Sequence, residues 1–296
     1  MATTAAEPAR PLLAAAALGV ALAACIRPEA GGGVPLPAPA SPGSAPEIVV
    51  GLADGRPALV VGGMADVEVQ FPDGGLGFVI PAGETVRLRA SAGGVAVGGG
   101  SRTVEAARLQ LAARETGTVR LDGREYPGTV LVTRGSTGLV ALNRLPVEEY
   151  LVGVVAAELG RREPGEAAAL RAQAILARTF ALRQLGRRRA DGSNVAATEQ
   201  DQVYAGVGPN SALARSAVEA TRGVVVTYAG QLADVFYSST CGGRTEDGAS
   251  AFRGADRPYL RSVSDLRPDG VAWCAASPRF RWREAWTAAE LSTQVA

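Results

Sequence analysis

Apolar and polar residues alternate in short stretches between residues 47 and 145, and Gly, Asp or Pro residues separate these stretches. A two-residue period predicts β-strands with one buried face, and the turn residues between them favour an antiparallel arrangement. The clearest predicted strands lie at 47–52, 65–71, 84–89, 118–121 and 128–133. We therefore predict that residues 47–145 form a β-rich region.

From residue 146 the apolar residues follow a helical period instead. Pro146 lies near the start of a predicted helix that ends at Gly160, and Glu158 falls on the apolar stripe of this helix. A second helix is predicted from Pro164 to about Leu185. Shorter elements follow, namely a helix at 211–221 and a hairpin with strands at 223–228 and 233–237. A β-rich region followed by a mixed helix/strand core, residues 146–296, predicts an α+β fold.

The first 46 residues are predicted to direct and tether the chain. The apolar run 11–24 follows Arg10 and has the length of a signal-peptide core, which is too short to span a bilayer comfortably. It ends in Leu22-Ala23-Ala24-Cys25, which resembles the lipobox of bacterial lipoproteins. We predict a lipoprotein-type signal peptide at 1–24, lipidation at Cys25, and a Pro/Gly/Ala-rich tether at 25–46. The exported chain would be anchored to a membrane of the cell envelope, on the periplasmic side in a Gram-negative host. An ordinary secretory signal, with Cys25 unmodified, is the alternative.

Composition removes many kinds of chemistry. The chain has 30 Lys+Arg residues against 29 Asp+Glu residues and no histidine, and every one of its cations is arginine. Catalysis by Ser-His-Asp, Cys-His or lysine is therefore excluded, and acid–base chemistry must come mainly from a carboxylate. The net charge of +1 gives no reason to expect nucleic acid. The arginine run 187–189 at the end of the second helix suits the helix dipole, with a binding patch as the alternative.

The cysteines predict a disulfide. If Cys25 carries lipid, Cys241 and Cys274 remain as an even pair in an oxidising compartment. A two-cysteine metal site without histidine is the alternative.

Glu158 is the carboxylate with the most unusual predicted surroundings. It lies near the C-terminal end of its helix, among residues such as Val154, Val155 and Leu159. Desolvation and the helix carbonyls both disfavour the ionised form, so the pKa of Glu158 should rise toward the range that suits a general acid. On the residues alone, an exposed glutamate paired with Arg161 or Arg162 is the alternative.

Ordered motifs across residues 140–285 resemble one protein family. Residues 143–158 (NRLPVEEYLVGVVAAE) resemble the opening signature of the stage II sporulation protein D family, SpoIID/LytB. The other segments that resemble it are 166–182 (EAAALRAQAILARTFAL), 201–206 (DQVYAG), 220–223 (ATRG), 237–245 (YSSTCGGRT), 257–263 (RPYLRSV) and 274–278 (CAASP). The resemblance makes residues 47–145 the β-rich N-terminal part of a SpoIID/LytB domain and residues 146–296 its catalytic core.

The resemblance implies one of two functions at the bacterial cell wall. In the first, the protein is a lytic transglycosylase that cleaves the MurNAc–GlcNAc bond of peptidoglycan glycan strands without water. Glu158 would then be the single acid/base, and the substrate's own C6 hydroxyl would be the nucleophile. In the second, the protein is a non-catalytic, peptidoglycan-binding enhancer of a cell-wall amidase, which would be its partner. Neither function implies a cofactor.

The resemblance also implies substrate-binding residues. These are Gln173, Arg178, Thr179, Gln202, Tyr204, Ser239, Thr240, Gly242 and Gly243. Arginine, amide and hydroxyl groups suit carboxylates and sugar hydroxyls. The alternatives are structural bonding for Arg178 and Thr179, core packing for Tyr204 and a plain turn for the loop 239–243.

Two departures from the family pattern carry expectations of their own. Some members hold zinc through His and Cys just before the Gln-Val-Tyr motif, but residues 195–200 here (VAATEQ) contain neither, so we expect no metal site. The loop should then be supported in another way, for instance by a Cys241–Cys274 bridge. Relatives also continue with further strands beyond the position of Trp286, so a core shortened at its C-terminus is expected.

Overall fold

The computed structural model describes residues 45–74, 77–99, 102–208, 211–252 and 254–295. The predicted signal peptide, Cys25 and nearly all of the tether lie outside the described residues. A boundary between two compact units falls between Tyr237 and Ser238. Within the described ranges, no helix combines the length and the apolar character that a membrane span requires.

The first unit begins with a series of strands, five of which overlap the clearest predicted strands at 47–52, 65–71, 84–89, 118–121 and 128–133. They are β1 (Glu47–Arg56), β2 (Ala58–Gly62), β3 (Val67–Gln70), β4 (Phe78–Ile80), β5 (Thr85–Ser91), β6 (Gly94–Gly99), β7 (Arg102–Ala106), β8 (Arg108–Ala113), β9 (Val119–Leu121), β10 (Arg124–Tyr126), β11 (Thr129–Arg134) and β12 (Leu139–Pro146). The helical part follows with α1 (Val147–Leu159), a 3-10 turn (Pro164–Glu166), α2 (Ala167–Gln184), β13 (Val195–Ala196), α3 (Ser211–Ala220), β14 (Thr227–Tyr228) and β15 (Gln231–Leu232). The predicted α+β class is confirmed.

Two larger sheets organise these strands. One has the order β13-β1-β12-β11-β8-β3-β4, and the other has the order β10-β9-β2-β5-β6-β7. Alternate residues, such as Ile48 and Val50 on β1 or Leu109 and Leu111 on β8, are fully buried. The period of two therefore turns one face of each strand toward the core, as the sequence pattern requires.

The sheet leads directly into the helix that carries Glu158. β12 pairs with both β1 and β11, and its last residue, Pro146, is the N-cap of α1. The N–H of Val147 donates to the Pro46 carbonyl at 2.8 Å, which ties the first turn of α1 to the chain just before β1. β12 and α1 belong to the same compact unit.

The hairpin after α3 is shorter than predicted. Its ladder consists of β14 and β15 alone, and the turn between them is formed by Ala229 and Gly230 at φ 49° and 77°. Positive φ at both central residues matches the twist of two-residue hairpins. The rest of the predicted strands 223–228 and 233–237 is irregular.

The second unit has little regular structure in its described part, residues 238–252 and 254–295. It contains α4 (Gly248–Ala251), a 3-10 turn (Trp273–Ala276) and α5 (Ala288–Val295). Isolated antiparallel bridges join Arg244 to Ser264 and Leu266 to Ala272.

Candidate active site

Glu158 lies in the last turn of α1 and is half-buried. The N–H of Gly160 donates to the Ala156 carbonyl and ends the helix. Arg162 donates to the Leu159 carbonyl and to Glu166, while Arg161 lies 4.0 Å from Glu163. The ion pair between Glu158 and a neighbouring arginine, which the sequence left open, is therefore not formed.

Two donors hold the carboxylate by the same oxygen. The N–H of Val203 donates to Glu158 Oε1 at 2.8 Å, and the Tyr237 hydroxyl donates to the same atom at 3.3 Å. Within the described part of the chain, Glu158 Oε2 accepts no hydrogen bond. The second oxygen is therefore left to carry or receive a proton.

The surroundings of Glu158 disfavour its charge. Burial raises the pKa of the carboxyl above its ordinary value, and the nearby Glu199 carboxylate adds to the increase. The hydrogen bonds from Val203 and Tyr237 lower the pKa but do not outweigh burial. The direction is that predicted from the sequence, and it favours a carboxyl that is protonated at higher pH than usual.

Tyr237 belongs to a buried chain of hydrogen bonds. The Tyr150 hydroxyl donates to Gln202 Oε1 at 3.1 Å, and Gln202 Nε2 donates to the Tyr237 oxygen at 3.1 Å. Burial, followed by the charge of Glu158, raises the pKa of Tyr237, so this hydroxyl keeps its proton and donates it toward Glu158. Tyr237 was not among the predicted site residues, although it opens the motif 237–245. Its separation of 79 residues from Glu158 hides the contact from local patterns.

Asp201 fixes the loop that carries Val203. Its carboxylate is fully buried and accepts bonds from Arg187 at 2.8 Å, from Arg189 at 3.1 Å and from the N–H of Ala196 at 2.7 Å. The arginine run after α2 therefore anchors this loop. Residues 195–200 do not fit a zinc site, because they contain no Cys or His and the adjacent Asp201 carboxylate is already held by two guanidinium groups.

Arg178 and Thr179 lie in the interior. Arg178 is 1% exposed, and its guanidinium donates to both oxygens of Glu148 at 2.8 Å. It also donates to the carbonyls of Val218 and Val224. Thr179 accepts from the N–H of Val226 and donates to the Ile175 carbonyl. These contacts favour the structural alternative for both residues over glycan contact.

Tyr204 and Gln202 are also enclosed by protein. The Tyr204 hydroxyl donates to Asn143 at 2.9 Å, and its ring packs against Tyr150 at a centroid distance of 5.0 Å. Tyr204 is therefore packed in the core, which was the alternative to glycan contact for this residue. Gln202 has no exposed surface and acts within the chain of hydrogen bonds to Tyr237.

Gln173 differs from the other buried candidates. Its Nε2 is buried and makes no hydrogen bond of normal geometry among the described residues. The carboxamide does approach the Tyr237 hydroxyl, and this weaker interaction lowers the pKa of Tyr237. An unpaired buried donor is costly, so it is a position where a ligand oxygen is favoured.

The remaining candidates lie in the second unit. Ser239 is exposed, and the Thr240 hydroxyl lies 2.8 Å from that of Ser277. Gly242 and Gly243 have φ values of 73° and 101°, which L side chains rarely adopt.

The Cys241 and Cys274 sulfurs are 3.7 Å apart as free thiols, so the predicted disulfide is not formed in this structure.

Sequence comparison identifies relatives of the segment around Glu158. Residues 135–228 match the SpoIID family, described as stage II sporulation protein. Stage II sporulation protein D of Bacillus subtilis (strain 168) is 33% identical over 170 residues, which is 52% of this chain and 47% of that protein. An amidase enhancer of the same strain is 31% identical over 157 residues, which is 52% of this chain and 21% of the enhancer. A protein of Brachyspira hyodysenteriae is 33% identical over 147 residues, which is 48% of this chain and 38% of that protein.

The chain thus spans less than half the length of these curated relatives. The matched segment nevertheless contains α1 with Glu158, the ion pair of the buried Arg178 with Glu148, and the loop with Asp201 and Val203. Residues 135–228 are thus similar to the stage II sporulation protein D family, the same family that the motifs resemble.

Proposed function

We propose that this protein is a lytic transglycosylase of bacterial peptidoglycan and that Glu158 is its acid/base. The observation that carries the proposal is a half-buried carboxylate whose pKa is raised by burial and whose two protein hydrogen bonds both end on Oε1. The relatives named for stage II sporulation and amidase enhancement support a role at the cell wall.

The proposed reaction needs one carboxyl group. Glu158 Oε2 donates its proton to the glycosidic oxygen as the bond to the muramic C1 breaks. The resulting carboxylate takes the proton of the C6 hydroxyl while that oxygen bonds to C1, which closes a 1,6-anhydro ring and returns Glu158 to its acid form. No water is consumed, so the second carboxylate of ordinary glycosidases is not required.

Tyr237 has a positioning role in this proposal. It fixes Oε1 and stabilises the carboxylate that forms during the reaction, while Gln202 and Tyr150 hold the phenol in place. Gln173 Nε2 is the best-supported substrate donor among the buried candidates, because it makes no hydrogen bond of normal geometry within the described residues. Glycan contact by the loop 239–243 remains part of the proposal.

The test uses residues 26–296 and glycan strands without stem peptides, with 1,6-anhydro products measured by mass spectrometry. Glu158→Gln should lower the rate by about 10²–10⁴-fold, the usual contribution of a general acid/base. Tyr237→Phe should lower it by about tenfold, because the carboxyl remains but a hydrogen bond to its charged form is lost. Glu219→Gln, at an exposed residue of α3, is the matched control and should be fully active.

A second function is favoured by the similarity to an amidase enhancer. In that case the wild-type protein would bind glycan, release no anhydro product and accelerate a cell-wall amidase equally well with Glu158→Gln. This combination of results would exclude the transglycosylase proposal.

A further inference from the structure

A cluster of three ligand-type side chains lies in the second unit. It consists of Cys241, Asp265 and Cys274, whose sulfur and carboxylate atoms all lie within 4.8 Å of one another. Cys241 Sγ is 3.7 Å from Cys274 Sγ and 3.1 Å from Asp265 Oδ2. The three residues come from separate parts of the chain, so their convergence is a property of the fold.

Backbone pairing holds the three segments together. The N–H of Asp265 donates to the Gly243 carbonyl at 3.0 Å, and the N–H of Trp273 donates to the Asp265 carbonyl at 3.1 Å. Gly243 approaches closely, since a Cβ on it would lie 3.3 Å from the Ala272 side chain. Main-chain hydrogen bonds therefore hold the three segments of the cluster close together.

The contacts of Asp265 among the described residues include no arginine. Its carboxylate lies against the Cys241 thiol instead, with Oδ2 3.1 Å from Sγ. An ion pair therefore does not already supply a positive charge to this carboxylate.

We propose that Cys241, Cys274 and Asp265 bind a zinc ion, with the fourth position open to solvent. Tetrahedral zinc with Zn–S bonds of about 2.3 Å places two thiolate sulfurs about 3.8 Å apart, close to the distance found here. A disulfide requires about 2.05 Å between the sulfurs and gives Asp265 no role. This site differs from the His/Cys zinc site of some relatives, and it departs from the expectation that the chain holds no metal.

The experiment measures zinc on the full chain in a Cys25→Ala background, where the thiol count refers to Cys241 and Cys274 alone. After reduction, addition of Zn²⁺ and dialysis, we expect one zinc per chain by mass spectrometry of the metal. Cobalt in place of zinc should give the absorption of thiolate-to-metal charge transfer. Cys241→Ser and Cys274→Ser should each abolish stoichiometric binding.

Asp265→Asn tests the third ligand. It should weaken zinc binding by about tenfold or more, whereas Asp256→Asn, at an exposed aspartate of the same unit, should bind as the parent does. Equal affinity in Asp265→Asn and the parent would overturn the three-residue site. Protein isolated without reductant that contains no free thiol and no metal would overturn the proposal in favour of the predicted disulfide.

Discussion

At the scale of single residues, Glu158 is a group whose ionisation opposes folding. Burial raises its pKa, and no cation among the described residues pairs with it. The neutral carboxyl is therefore the form that the native state prefers. The raised pKa that suits a general acid should therefore lower the stability of the folded protein at pH values where Glu158 is ionised.

Glu158→Gln should stabilise the protein in a pH-dependent way. Well below pH 4.5, the ordinary pKa of glutamate, the carboxyl is neutral in both the folded and unfolded states, so its charge contributes no difference between variant and wild type. As the pH rises through the higher pKa of the folded state, the wild type loses stability relative to the variant. The difference should reach no more than about 1 kcal/mol, because solvent screens a half-buried carboxylate.

Chemical denaturation at a series of pH values measures this difference. Glu219→Gln should show no such divergence, because Glu219 is exposed. A stabilisation that is the same at pH 4 and pH 8 would show that the charge of Glu158 is not its cause.

At the scale of elements, α1 is placed by its contact with the loop that follows β13. A Cβ on Gly153 would lie 2.5 Å from Cε2 of Tyr204 and 2.6 Å from the carbonyl oxygen of Gly206. Tyr204 cannot move aside easily, because it is 1% exposed and hydrogen-bonded to Asn143. The loop that donates to Glu158 through Val203 therefore packs directly against the helix that carries Glu158.

Gly153→Ala should destabilise the protein by about 1–3 kcal/mol, the usual cost of overpacking a core. In a helix without steric conflict, alanine is more stable than glycine by about 1 kcal/mol. A loss of stability in Gly153→Ala would therefore come from the tight packing around this position. Gly186→Ala is the control, because nothing lies within 4 Å of a Cβ at that position. Urea denaturation of both variants measures the effect, and a gain in stability at Gly153 would contradict the described packing.

The sequence predicts those parts of the site that depend on local pattern. The strand and helix periods predict β1, α1 and the burial around Glu158, because each is a matter of which residues face the core. The contacts that decide side-chain roles are long-range. Arg178 has the chemistry of a carboxylate binder, yet it meets Glu148 on the preceding helix. Asp201 supports its loop through Arg187 and Arg189, which were predicted to interact with the dipole at the C-terminal end of α2.

At the scale of the whole molecule, the proposed chemistry and the proposed metal site lie in different compact units. Glu158 and its donors belong to the unit that ends at Tyr237, whereas Cys241, Asp265 and Cys274 belong to the other. The two proposals therefore stand or fall separately, since one is tested by anhydro products and the other by bound zinc. The predicted membrane anchor is a third feature and lies outside the described residues.

We expect the full-length chain to be exported and lipid-anchored at Cys25. The apolar run 11–24 suits a signal peptide, and Ala23 and Ala24 supply the small residues that cleavage before a modified cysteine needs. A single thiol then decides whether the folded part is held at a membrane or released. Labelled palmitate should enter the wild-type protein and the Cys274→Ser control equally, and Cys25→Ala should lose both the label and the membrane fraction. Equal labelling of Cys25→Ala would exclude the anchor, and secretion of an unlabelled wild-type chain would point to an ordinary signal peptide instead.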